Sequence, residues 1–183
     1  MCHRIPEPFT PRISARQLFI AIGFGAMAAM VLFTGLSIPL GHGLMAEPSE
    51  VFVTLGAAFS GPYGGLIVGL LQGVVYAPER NVPSHMLAGF LWGAWYFILS
   101  RWSQGEGRGR WTRAALWAVS IPAYYYLLLL PLHLVIASAT LGVPFVSLFI
   151  ETGTGLLPEV AFTLLVTTLV IFVLPEKWAA PRG

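Results

Sequence analysis

The groups available for chemistry in this 183-residue chain are eight carboxylates, all of them glutamate, and four histidines; aspartate does not occur. Glu47, Glu50, Glu79, Glu151 and Glu159, with His42, His85 and Arg80, fall where long apolar runs begin or end. Singly, each suits a solvated rim, or a helix start where the dipole favours a carboxylate. Together they suit a polar solute-binding site at one end of a helical bundle. Glu159 leads, because it follows Pro158 at a helix start, and His85 opens an apolar run in a similar setting. Aromatic residues add a second element. Trp92, Trp95, Tyr96 and Phe97 share one run, and Tyr124, Tyr125 and Tyr126 point in three directions from another. One such tyrosine can give its hydroxyl to a pocket, or its ring to a planar ligand, while the others pack in the core. The expected solute-binding set is Glu159, Trp92, His85, Tyr125 and Glu151.

Catalysis is not expected. No HExxH, GxSxG or phosphate-loop pattern is present, and no acids, bases or nucleophiles converge within an apolar run. Met1-Cys2-His3 brings sulfur and imidazole near an amine, but on an unanchored tail, so no metal site is expected. Cys2 is the only cysteine and excludes an internal disulfide. No cofactor is expected either. Basic residues are few and sit in short loops, which gives no footing for nucleic acid.

The elements that position these groups are apolar. Hydrophobic residues make up 56% of the chain and charged ones 10%, against about 25% charged in soluble domains. The reading is an all-helical integral membrane protein in contact with lipid, a six-span bundle over residues 17–175 between cytoplasmic tails at 1–16 and 176–183. Span one is expected from Gln17 to Leu40, ended by Pro39, followed by a polar loop at 41–50. Residues 51–77 are either one broken helix or two short spans that turn at Gly61-Pro62. Ala77 to Pro83 reads as a loop, and span four as Ser84 to Trp102. Span five, about 114–138, is expected to kink at Pro122 and Pro131. A long connection over 139–157 carries a short helix near Phe145–Ile150, and span six starts at Pro158.

Small residues recur four apart on three of these runs: Ala21, Gly25 and Ala29; Gly65, Gly69 and Gly73; Gly89 and Gly93. In a bilayer such stripes let backbones approach closely. Gly61 and Pro62, with the last two groups, are expected to serve helix packing. Charge supports two short spans over one broken helix. With six spans, nine of the ten basic residues share the side of both termini and only Arg80 lies opposite; with five, the basic residues split. The basic side is then cytoplasmic.

The stretch GPYGGLIVGLLQG at 61–73, with Ala21, Gly25 and Ala29 on span one, resembles the S components, or substrate-binding subunits, of energy-coupling-factor vitamin transporters. The resemblance implies a lone six-span subunit that binds a vitamin-like solute or a metal ion from outside under a gating 41–50 loop. It also implies that Ala21, Gly25 and Ala29 dock on a membrane-embedded coupling subunit, itself bound to a pair of cytoplasmic ATPases. Many such proteins carry Asp near the end of the glycine motif; Gln72-Gly73 stands there here. The segment is also similar to the transmembrane receptor region of LytS-type sensor kinases, which implies a sensor module detached from its output domain. A structural membrane protein without a ligand is the third expectation.

Overall fold

A computed structural model describes residues 12–41, 44–75, 77–102, 109–142 and 144–174. Met1-Cys2-His3, His42 and the 176–183 tail lie outside the described residues. Ser14 starts the first helix, α1 (Ala15–Thr34), with a capping box: its hydroxyl accepts from the Gln17 N–H and the Gln17 side chain accepts from the Ser14 N–H. The helix ends earlier than Pro39, because Gly35 takes the left-handed conformation at φ 62°. Its N–H and that of Leu36 then satisfy the carbonyls of Leu32 and Val31. Two short antiparallel strands follow, β1 (Ile38–Gly41) at the expected end of span one and β2 (Leu44–Ala46) within the expected polar loop, with Ile38 opposite Ala46.

The next helical segment, α2 (Ser49–Gly73), is interrupted at Gly61, where φ is 78° and ψ is −176°. In a straight helix Glu50 and Gln72 would stand about 33 Å apart. Instead the Gln72 side-chain amide donates to the Glu50 carboxylate at 2.6 Å. The chain therefore reverses at Gly61, and the arms 49–60 and 62–73 lie side by side as a helical hairpin. Only glycine adopts Gly61's backbone conformation cheaply, and Pro62 opens the second arm where no N–H donor is required. Each arm is about 18 Å long, short of the roughly 30 Å hydrocarbon core. The turn at Gly61-Pro62 is thus present, but the arms are half-spans.

Helix α3 (Pro78–Trp102) begins before Ser84, so the 77–83 segment is helical rather than a loop. Pro78 suits a first-turn position and Glu79 favours the dipole there. Helix α4 (Arg110–Tyr124) runs through a π-helical turn (Tyr125–Leu129) into α5 (Leu130–Leu141). The Leu130 N–H reaches back five residues to the Tyr125 carbonyl. The widened turn accommodates the ring of Pro131, which would otherwise strike a carbonyl of the preceding turn. The connection after it is shorter than expected, since α6 (Phe145–Gly155) is helical to Gly155 and α7 (Leu157–Val173) follows at once. Among the described residues, four helices are long and apolar enough to cross a membrane: α1, α2, residues 81–102 of α3 and residues 110–139. The pair α6–α7, bent by 51°, makes a fifth by the same measure. Of these, α2 has the length of a span but not its course. Phe19, Phe33, Trp111, Leu127 and Leu165 stand exposed around the bundle, an apolar surface suited to lipid.

The two glycine stripes face each other. A Cβ added to Gly65 would lie 2.0 Å from the Gly89 carbonyl oxygen; one on Gly69 would lie 2.0 Å from the His85 oxygen. Gly73 meets the Val82 backbone and Gly93 meets Gly61 in the same way. Backbone touches backbone along the whole seam between the second arm of α2 and α3. On the other side of the hairpin, Ala21 and Gly25 of α1 are buried, with Gly25 against Leu71 and Val68. Of the expected docking face, Ala21 and Gly25 thus pack within the chain, while Ala29 is half-buried. Ala28, not Ala29, completes the buried stripe, and those small residues are spent on contact with α2. Across the bundle, Trp117 Nε1 donates to the Thr167 hydroxyl at 3.0 Å, tying α4 to α7.

The seam makes a direct prediction. Gly65→Ala should lower stability in detergent by about 1–3 kcal/mol through overpacking against the Gly89 carbonyl. Gly23→Ala, where a Cβ meets nothing within 4 Å, should be neutral or stabilising by up to about 1 kcal/mol. Thermal unfolding of both proteins checks this. Equal midpoints would remove the backbone-contact account.

Candidate functional site

Three helices, α2, α3 and α7, begin at the same end of the bundle, and each has a glutamate in its first turn: Glu50, Glu79 and Glu159. The dipole at a helix start lowers the cost of a carboxylate there. Because α2 doubles back, its last turn returns to that end and brings Gln72 beside Glu50. The Gln72 Nε2 donates to Glu50 at 2.6 Å and to the Ser49 hydroxyl at 3.3 Å. The glycine seam sets α3 close enough for His85 Nε2 to reach Glu50 at 3.2 Å. His85 Nδ1 lies 2.9 Å from the Asn81 carbonyl. Both ring nitrogens thus face acceptors, an arrangement that an imidazolium satisfies fully and a neutral ring only half.

Around this cluster lies a cavity of about 450 Å³ to which every helix except α4 contributes, together with the π turn. Leu32 comes from α1, Glu47, Ser49, Glu50 and Gln72 from α2 and the residues leading into it, and Ala77, Asn81 and His85 from the start of α3. The π turn supplies Tyr125; α5 supplies His133, α6 Thr152 and α7 Glu159. The Tyr125 hydroxyl lies 3.3 Å from both the Glu159 carboxylate and the Thr163 hydroxyl. The neighbouring Tyr126 hydroxyl donates to the Gly153 carbonyl at 2.9 Å, which holds α6 against the π turn. Strand β2 packs against α7 and leads into Glu47, at the same end of the bundle as the cavity.

Of the expected solute-binding set, Glu159, His85 and Tyr125 come together here. Trp92 does not. It is fully buried two turns further along α3, stacked on Tyr124 at 4.1 Å and Trp117 at 4.9 Å between ring centroids. Its place in the core follows from helix period: seven residues past His85 it shares that face but lies about 10 Å deeper. Glu151 is exposed on α6 and is not among the residues that line this cavity. The Arg80 side chain falls outside what is described. Sequence reasoning missed Gln72 and undervalued Glu50. The signal for Gln72 was a lone amide within an otherwise apolar, glycine-rich run.

Glu47 stands just before α2, half-buried. Burial pushes its carboxyl above the ordinary carboxylate range, helped by the Glu50 charge and opposed by a hydrogen bond from Ser49 and by His85. A group raised in the folded state stabilises fully below its unfolded pKa, and that contribution is lost as pH rises through the folded value. Wild type should therefore lose stability relative to Glu47→Gln as pH rises from about 4 to 7. Thermal midpoints at several pH values test the sign. For the cluster itself, Glu50→Leu should cost about 3–5 kcal/mol by stranding His85 and Gln72, and Glu50→Leu with His85→Leu should cost less than the single change. A double variant no more stable than Glu50→Leu would contradict the pairing. Set against protein-family models, curated proteins and solved structures, the chain matches none of them.

Proposed function

We propose that this protein is a solute-binding membrane subunit of the energy-coupling-factor S-component kind. In this reading the six expected spans become four full crossings and two half-spans, the arms of α2, and both termini are cytoplasmic. It captures a small vitamin-like solute from outside and hands it on through a membrane-embedded coupling subunit that carries a cytoplasmic ATPase pair. The observation that carries the reading is the cavity of about 450 Å³ lined by Glu47, Glu50, Gln72, His85, Tyr125 and Glu159. Buried ionisable groups inside an apolar bundle are expensive, and where they gather around a space they mark a solute path or site.

The course of the chain supports the orientation. A hairpin in α2 returns to the side it left, so α1, α3 and the α4–α5 rod alternate direction. Arg12, Arg16, Arg101, Arg110 and Arg113 then gather at the end opposite the cavity, the cytoplasmic end under the positive-inside rule. The cavity faces outward. The β1–β2 hairpin, anchored on α7, is the element placed to close over a bound solute.

The test is extraction of small molecules from protein purified from membranes without added ligand, read by mass spectrometry. A single solute should appear near one per chain in wild type, and at less than about a tenth of that in Glu159→Ala, since the loss of a buried charged partner costs several kcal/mol. Equal recovery from both proteins, or no solute in wild type, would overturn the reading.

A further inference from the structure

We infer that the cavity takes a small organic cation bearing N–H donors, such as an amidinium, guanidinium or primary ammonium group. The inference rests on the solute-binding reading above and names its substrate class.

Hydrogen-bond accounting carries the argument. The donors around Glu50 are committed among themselves, while the side chains of Asn81, His133 and Thr152 also line the cavity. Gln72 Nε2 is spent on Glu50 and Ser49, the Ser49 hydroxyl on Glu47, and the Tyr125 hydroxyl faces Glu159 and Thr163. His85 faces Glu50 and the Asn81 carbonyl. Acceptors remain. Gln72 is 2% exposed, and its Oε1 has no partner among the described residues. A buried polar atom left without a partner costs about 1–3 kcal/mol. Glu47 accepts from Ser49 and Glu159 from Tyr125, and each carboxyl group has further lone pairs for a donor. A ligand that brings N–H groups completes this arrangement, whereas one that brings only acceptors meets lone pairs.

Charge points the same way. Three carboxylates line the cavity, and no Lys or Arg stands among its described lining residues. A charged His85 balances Glu50, which leaves Glu47 and Glu159 as the acids that a bound cation would pair with in a poorly solvated space. Size then separates organic from inorganic cations. One water occupies about 30 Å³ in the liquid, so about 450 Å³ far exceeds what a bare ion fills. Among the described residues no three His, Cys, Asp or Glu side chains form a group able to hold a metal. Quaternary ammonium groups, which lack N–H donors, are recognised by cages of aromatic faces. Tyr125 is the only Phe, Tyr or Trp among the described lining residues, so no such cage exists here.

The experiment uses the full chain in detergent and matched trios of probes: an amidinium, its amide and its carboxylate, on methyl, phenyl and naphthyl frames. Thermal unfolding is followed as each is titrated, and phenyltrimethylammonium is added as a cation without N–H groups. At least one amidinium should raise the midpoint saturably, while its amide and carboxylate do nothing at tenfold higher concentration. Glu159→Gln and Glu47→Gln should each weaken that amidinium at least tenfold, each variant being read against its own unliganded midpoint. Glu47→Gln serves should Glu159→Gln fail to fold. Binding of an amide or carboxylate as tight as the amidinium overturns the cation class and leaves solute binding standing. Equal binding of phenyltrimethylammonium overturns the N–H requirement. The charge of any solute retained through purification is the second readout: a cation supports the inference, and a neutral or anionic solute overturns it. Silence from every probe, with no retained solute, removes the inference and the solute-binding reading together.

Discussion

At Gly61 the backbone turns through a conformation that side chains other than hydrogen resist, and the rest of the molecule depends on that turn. In a lipid-like setting a chain cannot reverse through an ordinary polar loop, because each unpaired amide costs several kcal/mol. A one-residue pivot followed by proline exposes few such groups. The reversal converts a stretch long enough to span a membrane into two antiparallel half-length arms. It also delivers Ser49 and Glu50 from one arm, and Gln72 from the other, to the same place.

The glycine seam does the second part of the work. Gly65, Gly69 and Gly89 lack the carbons that would hold α3 away, so peptide oxygens of Gly89 and His85 rest directly on the second arm of α2. Close approach of this kind substitutes for the hydrophobic driving force that is missing between helices in lipid. Its consequence for the site is geometric. The same contact that seats the His85 backbone on Gly69 brings the imidazole within 3.2 Å of Glu50. Packing and polar chemistry are therefore set by one interface.

The polar cluster is costly where it stands. Glu50, Gln72 and Ser49 are nearly inaccessible, and each would be strongly destabilising alone. Mutual hydrogen bonds offset most of that cost but leave the Gln72 oxygen open. A network made only for stability would close on itself. Deeper along α3, Trp92, Tyr96, Trp117 and Tyr124 form a dense aromatic layer, which confines the space to one end of the bundle. The π turn adds the last constraint, since it sets Tyr125 toward Glu159 and Tyr126 toward α6.

The helical, apolar class of the chain, the break at Gly61-Pro62 and the glycine faces were legible from residue types and period alone, because they follow from local backbone preference and four-residue spacing. So were Glu159 and His85 as polar groups at run ends, and Tyr125 as one of three tyrosines within a run. Other features were not legible. Gly35 ends α1 where proline seemed to, and Pro78 starts α3 inside what reads as a loop, because caps act through one residue's conformation against a neighbouring pattern. The sequence by itself determined which faces are small, which ends are acidic and where the chain must turn. Only the tertiary structure decided that Ala21 and Gly25 face inward, that Trp92 is core, that Glu151 is outside and that Gln72 meets Glu50 across 22 positions. Those outcomes depend on which helix lies against which, and long-range approach leaves no period in the chain to read.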